Sequence, residues 1–405
     1  MTTVRTDSSL GSALRQWFRP PRPHGEVIEG RVVSPLELFY DLVFVVLVAQ
    51  IAHTLAEDVS WRGVGDFTVV FALIWFAWLN GSLYHELHGG EDGRSRSFIF
   101  AQMTLLVVLA VYAGHAADDA SDGRAFAVVY TMLLGLLAIQ WAGVRRRDDA
   151  LFAALTKRYV ASLVVVGITV GASAFVDAPA RRVWIWAAAV VVAALAVLVA
   201  SVRRDPVVDQ ALRITESLAD RFGLFIIIVL GEVVVGVVDG LIEPERGTRA
   251  IATGLLALAI GFGFWWNYFD FAGRRTPRPG PRYRAVWMYA HFPLALATAA
   301  VGAGMVGLVE HASASRTPEP TAWLIGGATA VLFASLAAIV AVMEPHPARR
   351  LVPVSLGAVA GVSLLLAAFR PAPWLLALGL NLTLVAVWIE AFVRHARTGL
   401  PIAKT

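Results

Sequence analysis

Phe222-Gly-Leu-Phe-Ile-Ile-Ile-Val-Leu-Gly-Glu232-Val-Val-Val-Gly-Val-Val-Asp239-Gly-Leu241 is an apolar run broken by two acids. At 1.5 Å per residue, about 20 residues of helix cross the roughly 30 Å of hydrocarbon in a bilayer. Six further runs of this kind precede it, at 36–56, 67–86, 97–116, 125–143, 159–176 and 183–201. Five follow it, at 250–271, 285–308, 321–343, 351–369 and 373–393. The expected fold class is therefore all-α, a polytopic integral membrane protein of about 12 transmembrane helices. Composition agrees: 58% of the 405 residues are hydrophobic and 16% charged, against about 45–50% and 25% in soluble domains. Such a chain is neither disordered, nor a nucleic-acid module, nor an ordinary soluble enzyme. Cysteine is absent, which removes disulfides, thiol catalysis and Cys-ligated metal centres. No cofactor and no metal site is expected.

Charge sets the expected orientation. Residues 1–33 are polar, with no apolar stretch of the signal-peptide kind. If they lie inside, 26 of the 34 Lys and Arg fall on inner segments and 8 on outer ones. The positive-inside rule then places both termini in the cytoplasm of a cell whose inner (plasma) membrane holds the chain. The basic balance faces anionic lipid rather than nucleic acid. Trp61, Trp184, Trp323 and Trp374 stand near span ends, the depth that indole rings favour.

The two halves echo one another. Glu37 and Asp41 stand 179 residues before Glu216 and Asp220. Trp78-x-Asn80 returns as Trp265-x-Asn267 at an offset of 187, and Arg94-x-Arg96 as Arg282-x-Arg284 at 188. Gly167-x-x-x-Gly171 and Trp184 return as Gly357-x-x-x-Gly361 and Trp374 at 190. Six spans per half give the halves one orientation, a parallel repeat about the membrane normal. The Gly-x-x-x-Gly pairs are expected to mark closely packed helix faces. The expected organisation is a cytoplasmic tail at 1–33, a first six-helix repeat at 34–203 and an amphipathic surface linker at 204–221. A second six-helix repeat follows at 222–396, then a cytoplasmic tail at 397–405.

Pro35-Leu-Glu-Leu-Phe-Tyr-Asp-Leu-Val-Phe-Val and Asp220-Arg-Phe-Gly-Leu-Phe-Ile-Ile-Ile-Val-Leu-Gly-Glu232 resemble the two signatures of the bacterial low temperature requirement protein A family. The likeness runs from about residue 30 to about residue 395. It implies a multi-spanning membrane protein linked to growth in the cold, with no settled activity. The first motif is also similar to the Phe-Ser-Asp opening of a two-repeat potassium channel family. This chain reads Phe39-Tyr40-Asp41 there and Leu218-Ala219-Asp220 in its second half.

Four groups of residues are candidates for chemistry. Ser34-Pro35-x-Glu37 has the pattern of a capping box, and Glu37, Glu216 and Asp220 form a helix-start motif. Asp41 lies one turn past Glu37 on the same face, too deep for capping. Glu232 is mid-span, where a carboxyl costs several kcal/mol unless paired, hydrated or protonated. His53 stands 179 residues before Glu232. An imidazole and a carboxylate meeting across the repeat axis suggest a proton relay or cation site. Asn80 and Asn267 complete the pathway candidates, either lining a route or joining helices. His85-Glu86-Leu87-His88 lacks the i, i+4 histidine spacing of a zinc helix. These features predict a proton- or cation-linked transporter or channel, its pathway along spans one, two, seven and eight. The alternatives are an intramembrane lipid-handling enzyme and a non-transporting accessory protein of cold growth. Expected partners are the lipid bilayer, an unidentified small solute or ion and, in a homo-oligomer, a second copy of the chain, with no nucleic acid.

Overall fold

The computed structural model describes residues 17, 19–26, 31–90, 92–202, 214–242, 247–344 and 352–398. Twelve of its helices are long and apolar enough to cross a membrane. They are α1 (Pro35–Glu57), α2 (Trp61–His88), α3 (Gly93–Ala113), α4 (Ala120–Arg145), α5 (Ala150–Ala172) and α6 (Pro179–Val202) in the first half. The second half holds α7 (Glu216–Ile242), α8 (Thr248–Phe271), α9 (Pro281–Glu310), α10 (Glu319–Ala341), α11 (Val352–Phe369) and α12 (Pro373–Thr398). Among the described residues there is no strand, only one isolated bridge between Pro277 and Met343.

Short polar segments set the helix ends. Ser34, Ser60, Asp92, Asp119 and Asp149 each accept a backbone N–H from the first turn of the helix that follows, the usual role of these residue types. Because successive helices antiparallel one another, the N-terminal ends of odd-numbered helices and the C-terminal ends of even-numbered ones share one end of the bundle. That end is called the near end below, and the opposite one the far end.

α2 and α9 are the most buried helices and form the centre. Small residues let α9 approach its neighbours. A Cβ on Gly302 would lie 2.7–2.8 Å from the Glu232 backbone of α7, and one on Gly236 would meet the Gly302 carbonyl oxygen. Pro293 lies within α9 and removes one backbone donor from it, which neighbouring helices can tolerate in a bundle. In each half, six pairs of neighbours recur at matching places. α1 packs on α2 and α3 as α7 packs on α8 and α9. The third helix meets the fourth, the fourth the fifth, the fifth the sixth, and the second the sixth, in both. Across the halves, α1 and α2 meet α7 and α9.

Three sequence expectations change. The linker at 204–221 does not extend to 221. Thr215 accepts the Leu218 N–H at 3.0 Å and α7 begins at Glu216, because Leu218, Phe222 and Phe225 continue its buried face backwards. Residues 203–213 of that segment lie outside the described residues, as do most of the tail at 1–33 and the tail residues 399–405. The helix facing α1 and α2 is α9 rather than α8. Of the two Gly-x-x-x-Gly pairs, Gly167 and Gly171 do pack, on Leu134 and Thr131 of α4, but Gly357 and Gly361 face open space.

A buried ion network where the halves meet

The site starts at the near end, with the cap of α1. The Ser34 hydroxyl accepts the Glu37 N–H at 3.3 Å, and the Ser34 N–H donates to Glu37 Oε2 at 3.2 Å. The expected capping box is therefore present. Glu37 does more than cap, since its Oε1 accepts from Arg31 Nη2 at 2.5 Å. The other nitrogen, Arg31 Nη1, donates to Glu86 at the end of α2 and to Ser217 of α7. Glu86 also accepts from the hydroxyls of Thr215, at 2.6 Å, and Ser217, at 3.0 Å. One guanidinium thus ties α1 and α2 of the first half to α7 of the second. Arg22 stands at the mouth, donating to the Gly89 and Glu86 carbonyls. Its half-burial, with Arg31 nearby, lowers its pKa from the ordinary guanidinium range.

One turn deeper lies the centre of the site. Asp41 Oδ1 accepts from Trp78 Nε1 at 3.0 Å and from Arg221 Nη2 at 3.2 Å. The Asp41 and Arg221 side chains are 1% and 0% exposed. The pair is a bond between the first helix of each half. The Arg221 guanidinium also sits 5.8 Å above the Tyr40 ring, a cation–π arrangement. His85 meets Tyr40 edge-on at 5.6 Å. Several buried polar atoms here have no hydrogen-bond partner: Asp41 Oδ2, Arg221 Nε and Nη1, the Tyr40 hydroxyl and His85 Nε2. Gly81 makes room for that hydroxyl, which a Cβ at position 81 would strike.

Beyond the pair an aromatic layer closes the junction. Trp78 stacks on Phe225 at 4.1 Å and meets Phe222 edge-on at 5.1 Å. Phe222 continues to Trp287 and His291 of α9. His291 Nε2 lies 3.1 Å from the Tyr268 hydroxyl, so this layer reaches α8. Glu232 lies seven residues past Phe225, about 10 Å along the helix. It is 4% exposed, its backbone pressed against Gly302 and its Oε1 without a partner.

The remaining candidates fall elsewhere. His53 does not meet Glu232. Its side chain is 66% exposed, 3.4 Å from Glu57 one turn on, because the buried face of α1 runs through Val48, Ile51, Ala52 and Leu55. Asn80 and Asn267 are both buried, but each gives its amide N–H to its own helix, Asn80 to the Phe76 carbonyl and Asn267 to that of Gly263. Glu216 is exposed in the first turn of α7. Asp220 turns outward, 3.6 Å from Arg274. His85-Glu86-Leu87-His88 gathers no metal set, and no group of three or more ligating side chains occurs among the described residues.

Sequence reasoning missed Arg31, Arg221, Glu86, Tyr40, Trp78 and His85. The two arginines were counted as orientation signals. One signal could have found Arg221: it lies i+3 from Leu218 and i−4 from Phe225, which places it on the apolar face of the helix.

Chemically, the arrangement couples three carboxylates and two guanidiniums across a helix junction. Protonating Asp41 would release the Arg221 guanidinium and loosen the two halves, whereas Arg31, shared by Glu37 and Glu86, keeps one carboxylate when the other is protonated.

Comparison with known proteins fits this architecture. The chain is 26% identical over 389 residues to an uncharacterized protein of Rhizobium meliloti (strain 1021), covering 89% of this chain and 90% of that one. No solved structure matches. The family model described as bacterial low temperature requirement A protein matches residues 32–392. That stretch takes in all twelve helices but the last turns of α12, and Glu37, Asp41, Glu86, Arg221 and Glu232 with them, so the chain belongs to the bacterial low temperature requirement A protein family.

Proposed function

We propose that the protein is a proton- or cation-linked transporter or channel of the bacterial plasma membrane, with its polar pathway between two parallel six-helix repeats and both termini in the cytoplasm. The observation that carries this reading is the Asp41–Arg221 ion pair, fully buried where the halves meet. Ionisable groups in the interior of a membrane bundle are costly and characteristically mark ion or proton routes. The neighbour pairs that recur in both halves support the repeat. In this reading the near end is cytoplasmic. Arg31, Glu37 and Glu86 form its vestibule, Asp41 and Arg221 the gate, Trp78, Phe222 and Phe225 a plug, and Glu232 a coupling group beyond it. Asn80 and Asn267 are placed to bend or brace their helices rather than to line the route.

One observation favours the accessory reading instead: most of the network's bonds join helix to helix, as a purely structural clasp would. Purified protein in liposomes loaded with a pH- or ion-sensitive dye separates the two. Transport predicts flux in the wild type that falls to the level of empty liposomes in Asp41→Asn and Glu232→Gln, while His53→Ala retains it. Wild-type liposomes as tight as empty ones to protons, Na⁺ and K⁺ would leave the clasp as the explanation.

A further inference from the structure

A long apolar groove lies on the far half of the bundle, between the start of α2 in the first half and α9, α10 and α11 in the second. Its volume is about 1120 Å³, at the upper end of what small-molecule sites enclose. Along α10 its wall runs from Glu319 to Ala334, fifteen residues or about 22 Å of helix. One leaflet of hydrocarbon is about 15 Å deep. Small residues make the slot: Ala297 and Ala300 on α9, Gly327, Ala330 and Ala334 on α10, and Ala360 on α11. It opens sideways, since Trp323, Val331 and Leu364 on its walls are 40–45% exposed. Trp61 and Trp323 stand at its mouth, and indoles favour the headgroup depth. The groove therefore begins at the membrane interface and descends through the hydrocarbon.

The mouth is charged in a specific way. Glu319 lines it, and Glu319 Oε2 accepts from Arg370 Nη1 at 2.9 Å. Arg370 is held from behind, donating through Nε to the Thr317 carbonyl at 3.2 Å. A carboxylate over the groove with a guanidinium beside it complements a headgroup that carries an ammonium and a phosphate. An anionic headgroup would place its phosphate near the same carboxylate with no ammonium to offset it.

We propose that this groove is a binding site for one phospholipid with an ammonium-bearing headgroup. One acyl chain fills the slot, the ammonium faces Glu319 and the phosphate faces Arg370. The bound lipid bridges the two halves on the side opposite the Asp41–Arg221 pair, whether or not the protein transports anything.

Binding is read without any flux measurement. The full chain, purified in detergent and delipidated, is titrated with micelles containing phosphatidylethanolamine or phosphatidylglycerol brominated on the acyl chain. Tryptophan quenching and the lipid retained by mass spectrometry are followed. A Cβ on Gly327 meets nothing within 4 Å, so Gly327→Phe grows into the slot without disturbing packing. Gly135, equally open but on α4, which does not line the groove, serves as the control in Gly135→Phe. The expected result is about one retained phosphatidylethanolamine per chain, with quenching reduced in Trp323→Phe. That lipid is lost in Gly327→Phe and kept in Gly135→Phe. Phosphatidylethanolamine should outcompete phosphatidylglycerol about threefold, the scale of an exposed charge interaction, and Glu319→Gln should erase the preference. Equal retention in wild type and Gly327→Phe, or no preference between the two lipids, would overturn the proposal.

Discussion

The Asp41–Arg221 pair gives the sharpest energetic test of the architecture. Replacing Asp41 by Leu leaves Arg221 fully buried with none of its three nitrogens paired, because Nε and Nη1 already lack partners. It also strips the acceptor from Trp78 Nε1. Removing one member of a buried ion pair costs about 3–5 kcal/mol. Arg221→Met strands the carboxylate instead, with only the Trp78 bond left to it, and belongs to the same range. The double variant strands neither charge. Buried pairs replaced together by apolar residues of similar volume lose little and sometimes gain stability, so it should cost about 1 kcal/mol or less. The cycle then closes with a coupling of at least about 5 kcal/mol. Unfolding of the purified protein in mixed micelles, driven by rising denaturing detergent and followed by far-UV circular dichroism, measures all four corners. Single variants that each cost under about 1 kcal/mol, with a double variant equal to their sum, would refute a buried pair binding the halves. The flux assay reads the same variants independently, so a clasp without transport and a gate with transport give different pairs of results.

Two further outcomes follow from packing and from a helix cap. Gly302→Val should cost about 1–3 kcal/mol by overpacking, since its Cβ would lie 2.7 Å from the Glu232 carbonyl carbon. Gly357→Val, facing open space, should leave thermal stability and monodispersity unchanged. Asp119 at the start of α4 accepts from the Ser121 hydroxyl and from the backbone N–H groups of Ser121 and Asp122, which hold its pKa below the ordinary carboxylate range. A carboxyl lowered in the folded state stabilises above its unfolded pKa and loses that contribution as pH falls through the folded one. Hydrogen exchange, corrected for its intrinsic pH dependence, should show the first turn of α4 fraying on acidification below pH about 4. Asp119→Ala should fray already at neutral pH, and identical protection in the two proteins would contradict the cap.

The twelve helices were legible because each apolar run is long enough to cross a membrane and is bounded by polar or turn-forming residues. Span limits moved where burial continued past the apolar stretch. α7 starts at Glu216 rather than near 222, because Arg221 is charged yet faces inward and so resembled a linker residue. Asp41 and Glu232 were legible as sites for the same reason, an acid where the helix leaves it no water. Their partners were not. Arg221 and Glu86 lie far apart in sequence from the groups they bind, and only the docking of α1, α2 and α7 brings them together. His53 was paired with Glu232 through sequence offset alone. Offset fixes depth but not azimuth, and the buried face of α1 leaves His53 outside.

Azimuth also separates positions that share a sequence offset between the two halves. Asp41 is buried and Asp220 faces Arg274 near the surface; Trp78 is buried and Trp265 is 40% exposed; Glu232 is buried and His53 exposed. A symmetric junction would bring Asp41 against Asp220, two carboxylates with no counter-charge, which low-dielectric surroundings penalise heavily. The helix α7 avoids this by presenting the next residue. Arg221 is one position, or about 100° of helix rotation, further round than Asp220. The same turn carries Phe222 and Phe225 onto Trp78 and leaves Glu232 against the glycine-rich face of α9. At this junction α7 thus meets Asp41 with a guanidinium rather than a second carboxylate, and α9 packs across α1, α2 and α7.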